Sequence, residues 1–142
     1  MKANELMHGD IVLYYYDWEK IPAKVLEIYK NTILVESVSG EYEPIEIEEA
    51  KLFPIHLTPE ILEKNGFKKG DFREIENQHT WTLVLDTIHY VSLWTRNLYD
   101  NVDEGWVFKA ETSQVNGGLS LNAVHELQHA LRLCGIEKEI EL

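Results

Sequence analysis

Ile11-Val12-Leu13-Tyr14-Tyr15-Tyr16 is the stretch that decides the first half of the fold. This apolar run is rich in β-branched and aromatic residues. It follows Gly9-Asp10 and precedes a polar turn at residues 17–20, which is the pattern of a β-strand. Three further strand patterns follow, each separated by turn residues, at residues 22–29, 32–38 and 42–47. Four or five short strands at this spacing predict a small, strongly bent barrel of the SH3-like type over residues 1–54.

One short helix is predicted at the start of the second half, over about residues 59–65. Thr58 is a natural N-cap, and a proline occupies the first helical position. Gly66 can take the left-handed conformation that ends a helix. In the resulting Schellman motif, Phe67 would fold back onto Leu62.

The remainder of residues 55–142 mixes strand and helix patterns. The predicted elements are strands at about 80–86, 88–95 and 105–110, a helix at about 120–134 that Gly135 ends, and an alternating edge strand in the tail 136–142. Trp81, Trp94 and Trp106 fall on predicted strands and are most simply core or interface residues. The fold class is therefore α+β, a small β-barrel packed with a C-terminal unit of antiparallel strands and two helices.

Charge and composition restrict the function classes. The 142 residues include 13 basic and 25 acidic side chains, a net charge of −12 that disfavours direct binding to nucleic acid or to anionic membranes. Cys134 is the only cysteine, so no internal disulfide can form. The first residues lack the apolar core of a signal peptide, and no apolar run approaches the ~20 residues that span a bilayer. We expect a cytoplasmic protein.

His125-Glu126-Leu127-Gln128-His129 is the one stretch that resembles a catalytic motif. It matches H-E-x-x-H, in which two histidines bind zinc and the glutamate acts as the general base of a peptidase. Residues four apart share a helix face, so His125 and His129 could both reach one metal ion. The alternative function is therefore a zinc metallopeptidase with His125 and His129 as ligands and Glu126 as base.

The apolar pattern of the same helix argues against a zinc site. Val124, Leu127 and Leu131 form the centre of the apolar stripe, which would place His125 and His129 on the opposite, solvent-facing side. A catalytic zinc also needs a third protein ligand. The remaining candidates are upstream, at His56, His79 and His89. We interpret H-E-x-x-H as accidental, with no cofactor expected and no catalytic residue assigned.

Three motifs resemble a family of small uncharacterised bacterial and phage-associated proteins. They are K-A-N-E-L-x-x-G-D at residues 2–10, L-T-P-E-I-L-E-K-N-G-F at residues 57–67 and V-H-E-L-Q-H-A-L at residues 124–131. Family members have K-A-N-E-L-R-I-G-N, L-T-x-E-x-L-x-x-x-G-F and V-H-E-L-Q-N-L at these places. Because asparagine replaces His129 in that pattern, the resemblance implies that the zinc motif is incidental. The family has no known activity, so it implies no catalytic residue.

Aromatic and acidic residues of the first half form the candidate interaction surface: Tyr14, Tyr16, Trp18, Glu43, Glu46 and Glu48. Tyrosine and tryptophan on a small barrel can form a platform for a peptide, although alternate aromatics more often pack in the core. The carboxylates of residues 41–49 could imitate DNA phosphates, although such a run is more often a solvated strand face.

The sequence therefore favours a non-enzymatic, acidic protein-interaction module. Its partner would be an unidentified protein, and the aromatic content is compatible with homo-oligomer formation. The zinc metallopeptidase is the alternative, and an acidic DNA mimic is a weaker one.

Overall fold

A computed structural model describes residues 1–70, 80–85, 90–95, 105–110 and 118–142, with the backbone alone for Trp94 and Thr95. Within these ranges the chain has two five-stranded antiparallel sheets and two α-helices, which confirms the predicted α+β class. The chain divides into two compact units, Met1–His56 with Ala123–His125, and Leu57–Asn122 with Glu126–Leu142.

The first unit contains a curled, barrel-like sheet, as the short strand patterns predict. Its strands are β1 (Ile11–Tyr16), β2 (Glu19–Ile28), β3 (Thr32–Ser37), β4 (Ile45–Glu48) and β5 (Leu52–Phe53). They are arranged in the order β4-β3-β2-β1-β5, so β4 and β5 form the two edges of the sheet. A shift in register between Val25 and Glu27 interrupts the β2–β3 pairing, and irregularities of this kind increase the local twist of a sheet.

The inner face of this sheet carries the core of the first unit. Strand alternation places every second side chain inward, for example Ile33 and Val35 of β3, both of which are fully buried. The buried core residues are Leu6, Val12, Tyr14, Ile21, Ala23, Val25, Ile33, Val35, Ile47 and Leu52. This alternation explains why the period-two pattern was sufficient to predict the strands.

Residues 2–10, which carry the first of the three motifs, lead into β1 through a turn and a short 3-10 helix (Ala3–Glu5). Gly9 has a φ of 83°, a left-handed conformation that favours glycine. The Asp10 carboxylate is completely buried and accepts a hydrogen bond of 2.7 Å from the Met7 N–H. The glycine and aspartate of this motif therefore build the turn that precedes β1.

The second unit contains a sheet with the strand order β10-β9-β8-β7-β6. Its strands are β6 (Lys68–Gly70), β7 (Thr80–Val84), β8 (Tyr90–Thr95), β9 (Trp106–Ala110) and β10 (Leu119–Leu121). Trp81 and Trp106 are buried and meet edge to face with ring centroids 5.1 Å apart, in agreement with their predicted core role. The side chain of Trp94 lies outside the described residues.

Helix α1 (Pro59–Lys64) confirms the predicted helix and its termination. The Ile61 N–H donates to Thr58 Oγ1, and Gly66 takes a φ of 83°. The Phe67 N–H donates to the Leu62 carbonyl at 3.0 Å, which is the 6→1 bond of a Schellman motif.

Helix α2 (Val124–Leu133) begins later than the predicted start near residue 120, which is therefore wrong. Residues 119–121 form β10 instead, where Ser120 pairs with Val107 of β9. Backbone pairing with a neighbouring strand cannot be recognised from the local apolar period, which extends over both segments.

The predicted tail strand at residues 136–142 is also wrong, because this segment has no regular secondary structure. Hydrogen bonds from the end of α1 attach it: Asn65 donates to the Glu141 carbonyl at 2.7 Å and accepts from the Glu141 N–H at 3.0 Å, and Lys64 Nζ donates to the Leu142 carbonyl. Ile140 is buried. The alternation of residues 136–142 thus reflects one buried contact rather than a sheet edge.

Neither helix of the described ranges has the length and apolar character needed to cross a membrane.

Candidate interaction site

An open cleft of about 340 Å³ lies in the first unit between one end of β1 and strand β4. Its lining residues are Tyr14–Tyr16 of β1, Thr32 of β3, Ile45–Glu48 of β4, and Lys51. This volume is near the lower end of the ~300–1,000 Å³ found for ligand pockets. The cleft can therefore hold a few side chains of a partner.

The cleft runs along strand edges and not over the face of the sheet. Successive side chains of a strand point to opposite faces, so a cleft over one face is lined by every second residue. Here Tyr14–Tyr16 and Ile45–Glu48 are consecutive residues. Strand β4 ends the sheet, and β5 pairs with β1 only at Leu13 and Tyr14, which leaves the edge of β1 open beyond them. The curl of the sheet brings these two open edges to one cleft.

Four tyrosines lie at this end of the barrel, Tyr14–Tyr16 of β1 and Tyr42. Tyr14 is 3% exposed and belongs to the core, whereas Tyr16 is 45% exposed. The rings of Tyr16 and Tyr42 have centroids 5.4 Å apart. Burial, followed by the neighbouring hydroxyls of Tyr42 and Tyr16, raises the pKa of Tyr14. Tyr14 therefore leaves little contact surface for a partner, and the accessible ring on its side of β1 is that of Tyr16.

Two carboxylates give the cleft its acidic side. Glu46 and Glu48 are both exposed, and Thr32 Oγ1 donates to Glu46 Oε2 at 3.4 Å. Lys51 Nζ lies 3.5 Å from Glu48 Oε1, with both side chains about two-thirds exposed. An exposed ion pair of this kind contributes little energy, so both carboxylates remain available to a cationic partner.

Trp18 lies at the tip of the β1–β2 hairpin, directly after the residues that line the cleft. Asp17 and Trp18 have φ values of 45° and 72°, which are the positive angles of a two-residue type I′ turn. This turn favours asparagine and glycine, and a left-handed conformation is costly for a bulky residue. The indole is 97% exposed, so packing within the chain does not explain its presence. Trp18 is therefore a candidate contact residue.

The structure brings four of the six predicted surface residues to one place. Tyr14, Tyr16, Glu46 and Glu48 line the cleft, whereas Trp18 and Glu43 are exposed outside its lining. The lining residues outside the predicted six are Tyr15, Thr32, Ile45, Ile47 and Lys51, and Tyr42 contacts the lining residue Tyr16. No local pattern identifies them, because the curl of the sheet alone brings β4 close to the end of β1.

Part of the acidic run has a structural role. Glu49 is half-buried and accepts a hydrogen bond of 2.7 Å from the Ala3 N–H. The residues of this run that face solvent include Glu41, Glu43, Glu46 and Glu48. The exposed acidic surface is thus smaller than the number of glutamates in residues 41–49 indicates.

The H-E-x-x-H residues lie within helix α2, but their placement differs from the prediction. His125 is 7% exposed, so the expectation of a solvent-facing His125 is wrong, whereas His129 is half-buried. Gln128 is buried as well as Leu127 and Leu131, so burial extends well beyond the apolar stripe. A helical-wheel projection assigns the buried face from side-chain polarity, so it cannot detect that a helix is buried on more than one face.

Glu126 supports the start of this helix. Its Oε2 accepts a hydrogen bond of 2.6 Å from the Asn122 N–H, two residues before the helix begins, and so connects the incoming chain to the first helical turn. This role explains a glutamate at position 126 without catalysis.

In the part of the chain that the structure describes, no three His, Cys, Asp or Glu side chains are grouped to hold a metal ion. His56, one candidate third ligand, is exposed and forms an isolated bridge with Ala123. The other candidates, His79 and His89, lie outside the described residues.

Comparisons of the chain with protein-family models, with curated proteins and with solved structures find no match.

Proposed function

We propose that this chain is a non-enzymatic protein-interaction module and that its partner binds in the cleft between β1 and β4. The observation that carries this proposal is the convergence of exposed aromatic and acidic side chains on two open strand edges. An open edge offers backbone hydrogen bonds, while the adjacent side chains supply specificity.

The aromatic residues suit a binding role. Tyrosine and tryptophan are enriched at protein interfaces because they combine a large apolar surface with a polar group. Tyr16 and Trp18 leave such surface in water, although each lies on or beside the cleft. A partner that covers them would gain hydrophobic energy without rearranging the core.

A displayed library of short peptides of mixed charge and polarity tests the proposal, with the full chain as bait. Ile45→Arg fills the cleft at a side chain that is already part-exposed, and Val38→Arg is the matched control on a more exposed residue outside the lining. We expect selected peptides to bind the native chain and the Val38→Arg variant equally, and the Ile45→Arg variant at least about tenfold more weakly. If none of the selected peptides binds the Ile45→Arg variant more weakly than the native chain, the proposal is refuted.

The zinc peptidase is the second proposal, because His125 and His129 lie one turn apart on a helix that does form. Elemental analysis of tag-free protein, beside a His129→Asn variant, decides between the two. We expect no stoichiometric zinc in either protein. One zinc per chain that the variant loses would instead support the peptidase, and Glu126→Gln should then abolish hydrolysis while the metal stays bound. Membership in the family that the three motifs resemble also remains a proposal.

A further inference from the structure

Among the residues that the structure describes, no strand pairs with the outer edge of β4, which lies beside the cleft. β4 pairs with β3 from Thr32↔Glu48 to Val35↔Ile45 and ends the sheet on its other side. Alternate N–H and C=O groups of an edge strand point outward, where an extended chain can pair with them. Because consecutive β4 residues line the cleft, this edge faces the cleft itself.

Strand direction defines how an added strand would run. β1, β2, β3 and β4 pair antiparallel in succession, so β1 and β4 run in opposite directions. A strand added antiparallel to β4 is therefore parallel to β1. Antiparallel pairing is slightly more stable than parallel pairing. The added strand therefore takes the orientation that is antiparallel to β4.

The side chains of β4 define two different surfaces for that strand. Ile47 belongs to the buried core, so Ile45 and Ile47 share the inner face, and Glu46 and Glu48 share the outer face. By the same alternation, Tyr16 lies on the inner face with Tyr14. An added strand thus meets isoleucine and tyrosine on one side and two carboxylates on the other.

On the basis of the proposed function, we infer that the partner segment is an extended basic peptide that adds to β4 as a strand. Its residues alternate between apolar side chains, which cover Ile45 and Ile47, and lysine or arginine, which face Glu46 and Glu48. Opposite charges directly across two strands are favourable, and the net charge of −12 attracts a basic segment.

The same pattern disfavours a second copy of this chain at the edge. In an antiparallel pair of two β4 strands, a glutamate faces either a glutamate or an isoleucine, depending on the register. Like charges directly opposite each other are destabilising, and a charge beside isoleucine loses hydration. The edge therefore rejects its own copy and accepts a strand of complementary charge.

Isothermal titration of the full chain with three synthetic peptides tests the inference. The first peptide alternates valine with lysine and arginine between glycine-serine flanks. The second has the same composition, but its basic residues form one block. The third has the sequence of the first and carries N-methylated backbone amides. We expect the alternating peptide to bind at least about tenfold more tightly than either other peptide, because only it matches both faces and keeps its backbone donors. Chemical shifts of labelled protein should change along Ile45–Glu48 and Tyr14–Tyr16.

Three variants examine the charge requirement. Glu46→Gln with Glu48→Gln should weaken the alternating peptide about tenfold. Lys51→Gln should strengthen binding a few-fold, because Lys51 lies in the cleft and repels a cationic ligand. Glu36→Gln changes an exposed β3 carboxylate outside the cleft lining and should have no effect.

Each other outcome would overturn the inference. Equal binding of the alternating and block peptides shows simple charge attraction without strand pairing. Concentration-dependent shifts along β4 in the protein alone show a second copy as the occupant. No binding of the alternating peptide, with library peptides that still depend on Ile45, rejects the basic strand but leaves the proposed function intact. If those library peptides are absent too, the proposed function fails as well.

Discussion

Trp18 has a conformation that its own side chain disfavours. At a φ of 72°, a residue with a Cβ costs about 1–2 kcal/mol relative to ordinary backbone. The exposed indole recovers none of this through packing. Strain at an exposed aromatic residue therefore supports the proposed role of Trp18 as a contact residue.

Trp18→Gly should consequently stabilise the fold. Relief of the positive φ outweighs the extra entropy of glycine in the unfolded chain, for a net gain of about 0.5 kcal/mol. Urea unfolding measures this gain, and Asp17→Gly serves as the control. The control should gain less, because aspartate tolerates the left-handed region better than tryptophan does. A clear loss of stability in Trp18→Gly would show that the indole packs within the chain.

Tyr14 makes stability depend on alkaline pH. Burial and the nearby hydroxyls of Tyr42 and Tyr16 raise its pKa in the folded state. The unfolded chain then releases the proton first, so the contribution of Tyr14 is complete below the ordinary tyrosine pKa of about 10 and is lost as pH rises above it. Unfolding free energies between pH 8 and about 11 should decline less steeply in Tyr14→Phe than in the native chain. Identical slopes would contradict the assignment.

At the scale of elements, the three family-like motifs correspond to structural devices. The first builds the turn before β1 through Gly9 and Asp10, and the second builds α1 with its cap and Schellman ending. The third forms α2, where Glu126 binds the Asn122 N–H. The residues of these motifs thus have structural roles in this chain, and such roles indicate no activity.

Asn65 connects two elements of the second unit. Its buried amide donates to the Ile61 and Glu141 carbonyls and accepts from the Glu141 N–H. Asn65→Ala removes three hydrogen bonds and should cost about 2–3 kcal/mol of unfolding free energy, with faster hydrogen exchange at the Glu141 amide. Asn4→Ala, at an exposed asparagine, should change stability by less than about 0.5 kcal/mol. An unchanged exchange rate at Glu141 would show that Asn65 does not hold the tail.

At the scale of the whole molecule, the net charge and the cleft should act on different rate constants. Glu46→Gln with Glu48→Gln changes the net charge only from −12 to −10, so long-range attraction of a basic peptide is largely kept. Stopped-flow kinetics should therefore show a dissociation rate that rises more than the association rate falls. Added salt should reduce the association rate of both proteins. If the double glutamine variant lowers only the association rate, the two carboxylates act through long-range electrostatic steering and not through contacts in the cleft.

The sequence by itself determined the elements whose cause is local. Alternating apolar residues predicted the strands of the first sheet, and Thr58 with Gly66 predicted α1 and both of its ends. These patterns suffice because strand alternation, capping and left-handed glycine depend on residues a few positions apart. They also explain why the class of the fold could be predicted.

Only the tertiary structure decided the cleft, the start of α2 and the burial of His125. Each depends on residues far apart in the sequence: β4 reaches the end of β1 through the curl of a five-stranded sheet, and Ser120 joins a strand because Val107 pairs with it. Side-chain polarity indicates which residues prefer to be buried. Which neighbours bury them depends on the topology of the chain. The candidate site lies at such a meeting of distant segments, so four of its residues could be proposed from sequence while their convergence could not.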